Sequence, residues 1–529
     1  MLKGKAILSY NQFSLFHDIY EDEEYFLKSP DTQWYQILKD FLWKNYQPFG
    51  IEYFRALYHF NKNQQLKQKG SHPCVEEKQD ATQRLLFSRS TMDETEDVLY
   101  KDEFKGINID DVPAISPASV APGVVPRRLG GKKPKCFFAM LKSFIGASLM
   151  GFEPTPERVD FLLTSNLAFA RVCGFLPKDH GSQYCSLDVP GLRKLEQFDQ
   201  IMTEYGIWSK CKVNEVTENL KEGVIQKENI LVGDTTHYYA HSGFKTVGYT
   251  NDKGKEKRKS QSKTTKNCNC KDKENCSHEW ELVDDGAGTI VKAHNKYIWG
   301  HKASYLGLPL QGIPLDVIAV ADAATNDGET FYPHVEKLFE QYSIVKEWID
   351  IALYDSACDS KELKAKFKDK LNLDLKASLN PRRKKVVTEN LPRGMGKVTP
   401  YGNVICNADH EMDYRGIRFK DEKYIYQWPV DKDGNSVCLA CEYKPTCCPT
   451  AEYGRTIQVS FDVLSHINPD DPPMAKRFKA MMTRRPSVER MIKRLKCDLS
   501  GARLNKRGNG NFQAYLDKTL IAYHILLRS

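Results

Sequence analysis

Apolar and polar positions fall into distinct regimes along the chain. Between residues 32 and 66, Trp34, Ile37, Leu38, Phe41 and Leu42 recur near helical spacing, which predicts one or two amphipathic helices buried along that stripe. From 67 to 134 the periodicity dissolves into a polar stretch and then DDVPAISPASVAPGVVPRRLGGKKPK, the composition of a linker or extended arm. Helical periodicity returns between 135 and 222 in FFAMLKSFIGASLMGF, PERVDFLLTSNLAFARVCGF and LRKLEQFDQIMTEYGIW, and predicts a compact helical domain.

After 222 the period changes to strands alternating with helices. NILVGDTTHYY, YIWGHKASYLG and DVIAVADAA read as three antiparallel strands; ETFYPHVEKLFEQY is a helix, DIALYDSA a strand, CDSKELKAKFKDKL a helix and LDLKASLN a fifth strand. The expected fold is α/β: a ribonuclease H-like mixed sheet formed by 223–380 and 470–529. An N-terminal helical domain precedes it, and cysteine-rich insertions at 250–300 and 381–469 interrupt it. The segment 1–66 has no role legible in its residues. A chain of 529 residues is too long for one core, and its apolar fraction of 41% suits a soluble globular protein.

Two acids end strands in this scheme, Asp234 and Asp355. Strand residues alternate faces, so Asp350, five residues before Asp355, points to the opposite side and leaves Asp355 as the partner for Asp234. A third acid lies in TRRPSVERMIKRLKCDL, 483–499. There Val488, Ile492, Leu495 and Leu499 form an apolar stripe, with Arg485, Glu489 and Lys496 as a charged stripe beside it. A strand-end Asp is most often a turn residue, and a charged helix face often serves only solubility. The charge count argues for more: nine Lys or Arg stand against two acids between 484 and 507, while the whole chain carries a net charge of only +8. A glutamate in so basic a stretch is well placed between metal ions and phosphates.

Taken in order, Asp234 in a D-T-T context, Asp355 in LYDSACDS, and Arg485, Glu489 and Lys496 as R-x3-E-x6-K resemble the DDE transposases of bacterial insertion sequences, in the branch marked by Y-x2-R-x3-E-x6-K. The resemblance runs from about 137 to 529 and includes YIWGHKASYL and the tail GARLNKRGNGNFQAYLDKTLIAYHILL. The motif's tyrosine falls on Met482, which has no hydroxyl to offer a phosphate. The resemblance implies an enzyme that cuts transposon-end DNA and joins it to target DNA by two-metal hydrolysis and transesterification, Asp234, Asp355 and Glu489 holding two Mg2+ or Mn2+ ions. Arg485 and Lys496, with Arg484, Lys493 and Arg503, are the expected phosphate contacts. The expected partners are duplex DNA bearing terminal inverted repeats, read by the helical domain, and target DNA, with a homodimer acting on paired ends. A metal-dependent nuclease that cuts without joining, and a silent transposase-derived DNA-binding protein, stay open as alternatives.

Fifteen cysteines remain to be placed. Cys268, Cys270, Cys276 and His278 stand within eleven residues, and Cys438, Cys441, Cys447 and Cys448 form a second group with Cys406 and His410 upstream. Thiolates at such spacing suit structural zinc, four protein ligands leaving no open position for substrate. A basic run at 251–266, seven Lys or Arg against two acids, precedes the first group and suits contact with a DNA backbone or simple solvation. No apolar run is long enough for a membrane span, and the first twenty residues lack a secretory pattern, so a cytoplasmic, nucleoid-associated location is expected.

Overall fold

A computed structural model describes residues 33–41, 43–68, 135–175, 188–250, 253–266, 268, 270–293, 296–380, 386–389, 391–499 and 504–528. Most of the expected arm, with Arg127, Arg128, Lys132 and Lys133, lies outside these residues, as does Arg503.

The described N-terminal part is helical: α1 (Gln33–Asp40), α2 (Gln47–Gln68), α3 (Phe137–Leu149), α4 (Pro156–Ser165), α5 (Leu167–Val172), α6 (Leu192–Glu204) and α7 (Ile207–Lys221). Local chemistry sets several of these ends. Pro156 opens α4 behind Thr155, whose hydroxyl accepts from the Arg158 N–H, and Asn166 starts α5 by accepting from the Phe169 N–H at 2.9 Å. Trp34, Ile37 and Leu38 are buried as their spacing predicts, against an aromatic core that includes Phe144, Phe169, Phe198 and Trp208. Helices before and after the arm therefore share one core.

The sheet region comprises β1 (Ile230–Tyr239), β2 (Phe244–Thr250), β3 (Glu256–Ser262), β4 (Thr264–Thr265), β5 (Glu281–Leu282), β6 (Gly288–Ala293), β7 (Lys296–Leu308), β8 (Ile313–Ala319), α8 (Asp327–Gln341), α9 (Ser343–Trp348), β9 (Ile351–Tyr354), α10 (Lys361–Leu371) and β10 (Asp374–Ala377). The central sheet is mixed. It runs β10-β9-β1-β7, with β6 and β8 both pairing β7; β1, β7 and β8 are antiparallel neighbours, whereas β9 is parallel to β1 and β10 to β9. The expected five strands are present with small shifts: β8 starts at Ile313 and stops at Ala319, earlier than DVIAVADAA suggested. Strand β6, inside the first insertion, was not expected.

Asp234 does not end its strand. It is the fifth residue of ten, because the long β7 carries the antiparallel ladder onward to Tyr239. The parallel ladder with β9 does stop, at Val232 opposite Leu353, so Asp234 stands just past the end of that pairing and Asp355 just past β9.

The second insertion carries a separate small core around Tyr424, Tyr426, Ile457 and Val459. Its strands are β11 (Met395–Val398), β12 (Val404–Cys406), β13 (Asp413–Arg418), β14 (Lys423–Gln427) and β15 (Ile457–Ser460), with a short α11 (Lys444–Cys447). The chain then returns through α12 (Lys476–Met482), α13 (Ser487–Lys493) and α14 (Asn509–Arg528). The single helix expected over 483–499 is divided: α13 gives way to a π turn at Arg494–Asp498, after a start set by Pro486.

Helix α14 is the wedge between the two large cores. Phe512, Leu516 and Leu520 belong to the sheet core, while Ala514, Ile521 and Ile525 belong to the helical one. At this seam Lys212 of α7, 1% exposed, donates to Asp316 of β8 at 2.5 Å and lies 3.2 Å from Asp517 of α14. Burial disfavours the charge on Lys212, but the two carboxylates outweigh it and push its pKa up; the Lys212 ammonium and His334 hold Asp316 well below the usual range despite its burial. Replacing Lys212 with Met leaves two buried carboxylates without their cation, so urea denaturation should report a loss of about 3–5 kcal/mol. An unchanged midpoint would remove this pairing as the seam's fastening.

Candidate active site

Two glycines let the surrounding elements close on Asp234. A Cβ at Gly233 would lie 2.4 Å from the Phe331 ring, and one at Gly307 would lie 2.5 Å from Met491 Sδ. Their absence allows α8 to cover β1 and α13 to settle on β7. Helix α13 buries Val488 and Met491 against the sheet and leaves Glu489 on its open side. The expected stripe of Val488, Leu495 and Leu499 is buried, and Ile492 packs beside it.

Two of the three expected acids, Asp234 and Glu489, meet at Arg485. Its Nη2 donates to Asp234 Oδ2 and its Nη1 to Glu489 Oε1, each at 2.8 Å. Asp234 Oδ1 accepts from the Thr235 N–H at 2.8 Å, and Asp355 Oδ1 accepts from the Ala357 N–H at 2.8 Å in the turn after β9. Partial burial raises the Asp234 carboxyl to about 6; Arg485 and the Thr235 N–H oppose the rise, whereas the nearby charges of Asp355 and Asp327 add to it. The three expected ligands do not bring their oxygens within 4.8 Å of one another. The donor chemistry is of the kind that suits hard divalent cations: Asp234 and Glu489 share the Arg485 guanidinium, and the charge of Asp355 acts on Asp234.

Asp327 was not anticipated. It opens α8 after the Asn326 cap, so in sequence it looks like an ordinary first-turn acid, yet it shares the field of Asp234 and pairs with the buried Lys302 of β7 at 3.0 Å. Lys496 turns toward β1, donating to the His237 carbonyl and lying 4.2 Å from the centre of the Tyr238 ring. Arg484 and Lys493 are exposed. Met482 packs against the sheet core.

Cys268, Cys270, Cys276 and His278 bring their donor atoms within 4.8 Å of one another. Cys268 and Cys276 Sγ are 3.7 Å apart, and Cys270 Sγ lies 3.8 Å from His278 Nδ1. A tetrahedron with zinc–sulfur bonds of about 2.3 Å has edges of about 3.8 Å, so the set has the dimensions of a structural zinc site. Cys438, Cys441, Cys447 and Cys448 line one small cavity with Cys406, but these thiols do not all reach the same mutual distance; His410 is not among the lining residues.

No family model matches the chain, and no curated protein matches its sequence. Among solved structures, the piggyBac transposase synaptic complex with hairpin DNA is similar over 84% of this chain and 73% of that chain, with 8% identity and a TM-score of 0.31, a likeness too slight to carry inference. No helix among the described residues is long and apolar enough to cross a membrane.

The raised Asp234 carboxyl has a pH signature. Its folded pKa of about 6 exceeds the unfolded value of about 3.9, so the folded state holds the extra proton and loses stability as pH rises from about 4 to about 6. Measured without divalent metal, wild-type stability should fall by about 2 kcal/mol relative to Asp234→Asn across that window. Parallel stability curves would mean that Asp234 does not titrate in this range.

Proposed function

We propose that this chain is a divalent-metal-dependent DNA transposase of the DDE type, cutting element ends and joining them to target DNA. The observation that carries the reading is the Arg485 fork between Asp234 and Glu489, residues 255 positions apart in the chain, with Asp355 at the end of the adjacent parallel strand. The sheet supports it too: an antiparallel trio followed by two parallel strands is the order expected of a ribonuclease H-like core.

Asp234, Asp355 and Glu489 would hold two Mg2+ or Mn2+ ions, which would supply activation of the attacking oxygen and stabilisation of the leaving one. The remaining work falls to the chain. Asp234 must lose its proton to serve as a ligand, and Arg485 favours that loss. Once released from the two carboxylates, the Arg485 guanidinium would offer the same pair of N–H groups to a phosphate. Lys496 stands beside β1 as a second phosphate contact, and Arg484 and Lys493 extend the basic surface. Structural zinc would hold the Cys268–His278 loop. Terminal-repeat recognition falls to the helical domain and action on paired ends to a homodimer, both inferred from the family resemblance.

Glu489→Gln should lower Mg2+- or Mn2+-dependent nicking of a terminal-repeat duplex at least a thousandfold, with Kd for that duplex changed less than threefold. Resolving nicked and joined strands on a denaturing gel tests this. Retained nicking would end the assignment of Glu489; nicking without joining would reduce the proposal to a nuclease.

A further inference from the structure

Strands β2 and β3 form a ribbon that core burial does not explain. They pair in register from Phe244 opposite Ser262 to Thr250 opposite Glu256, and all seven residues of β2 are exposed. An isolated two-stranded hairpin is only marginally stable in water. This one is fixed at its base. Asp284, fully buried, accepts from the Ser242 hydroxyl, from His301 at 3.0 Å and from the Gly508 N–H at 2.7 Å, while its own N–H donates to Ser262 Oγ at 2.9 Å. The Phe244 ring lies 5.2 Å from that of Trp299 on β7. Beyond the ribbon, β4 and β5 close the base of the cysteine–histidine loop.

Buried polar groups are thus invested in holding an element whose outer part stays exposed, all of β2 with Glu256, Lys257 and Arg258 of β3. Its composition says for what. Lys245, Lys253, Lys255, Lys257 and Arg258 are exposed, and the register sets Tyr249 opposite Lys257 on one face. The ribbon follows directly from β1, the strand of Asp234, through a turn in which the Ala240 N–H donates to the Trp299 carbonyl.

We infer that the β2–β3 ribbon is a docking arm for the phosphate backbone of duplex DNA, contributing affinity without sequence choice. Cations on a two-stranded ribbon match a polyanion whose groove admits an element of that width. A lysine-rich arm could also meet an anionic membrane surface, but the tie to β7 and β1 places it on the sheet that carries the acids, which favours DNA. The choice of DNA rests on the proposed function, but the arm's contribution does not need cutting: an Asp234→Ala protein should keep it.

The test is equilibrium binding of the full chain to a 30-base-pair duplex of arbitrary sequence, without divalent metal, across a salt series. Changing Lys255, Lys257 and Arg258 together to Gln should reduce the slope of log affinity against log salt by about 3, roughly 0.9 for each lost phosphate contact, and weaken binding at least tenfold near 100 mM salt. Made in an Asp234→Ala background, the same triple change should lower the slope by the same amount, and thermal unfolding should place the triple variant with the wild type. A control triple, Lys366, Lys368 and Lys370 to Gln on α10, removes the same charge elsewhere. An unchanged slope in the ribbon variant, an equal fall in the control, or ribbon-dependent binding to phosphatidylserine vesicles with none to the duplex would each overturn the proposal.

Discussion

Carboxylates gathered in a partly dry space need a cation. Asp234 shares Arg485 with Glu489, and its carboxyl is raised chiefly by burial, with smaller additions from the charges of Asp355 and Asp327, more than the guanidinium offsets. Each like charge added beside a partly buried carboxylate works against folding. Under the proposed function, a divalent cation and a phosphate would offset that cost.

The scaffold's task is to hold α13 over β1. Gly233 and Gly307 allow the close approach, Val488 and Met491 supply the apolar contact, and α14 braces the sheet against the helical core. The seam is fastened by ion pairs whose carboxylates are buried. Lys212 joins Asp316 and Asp517, and a second set joins Asp199 to Lys506 and Lys518, each at 2.7 Å. The sheet, the bundle and the C-terminal helix are thereby held to one relative placement, and with them Asp234 and Glu489.

Much of this was legible in the order of residues. Alternation and turn chemistry located all five expected strands, and the 4-3-4 apolar stripe placed Glu489 on a helix that faces outward from the core. What escaped has physical reasons. The apolar run stops at Asp234 and so suggests a strand end there, but β1 continues as polar residues held by the length of β7. Asp327 looks like a helix-start acid, and only the fold brings it near Asp234. The π turn after Lys493 adds a residue to one turn, which spacing arguments based on a uniform helix do not register. The exposed ribbon was visible only as a basic run, since neither face has the apolar pattern from which strands are read.

The most direct measurement is an anomalous-scattering crystal structure of the protein soaked in Mn2+. Metal density should appear in contact with carboxylate oxygens of both Asp234 and Asp355, at about 2.1–2.2 Å, with the Arg485 guanidinium withdrawn from Asp234. Saturating Mn2+ that leaves the Arg485 fork intact and no metal beside Asp234 would contradict the proposed metal site.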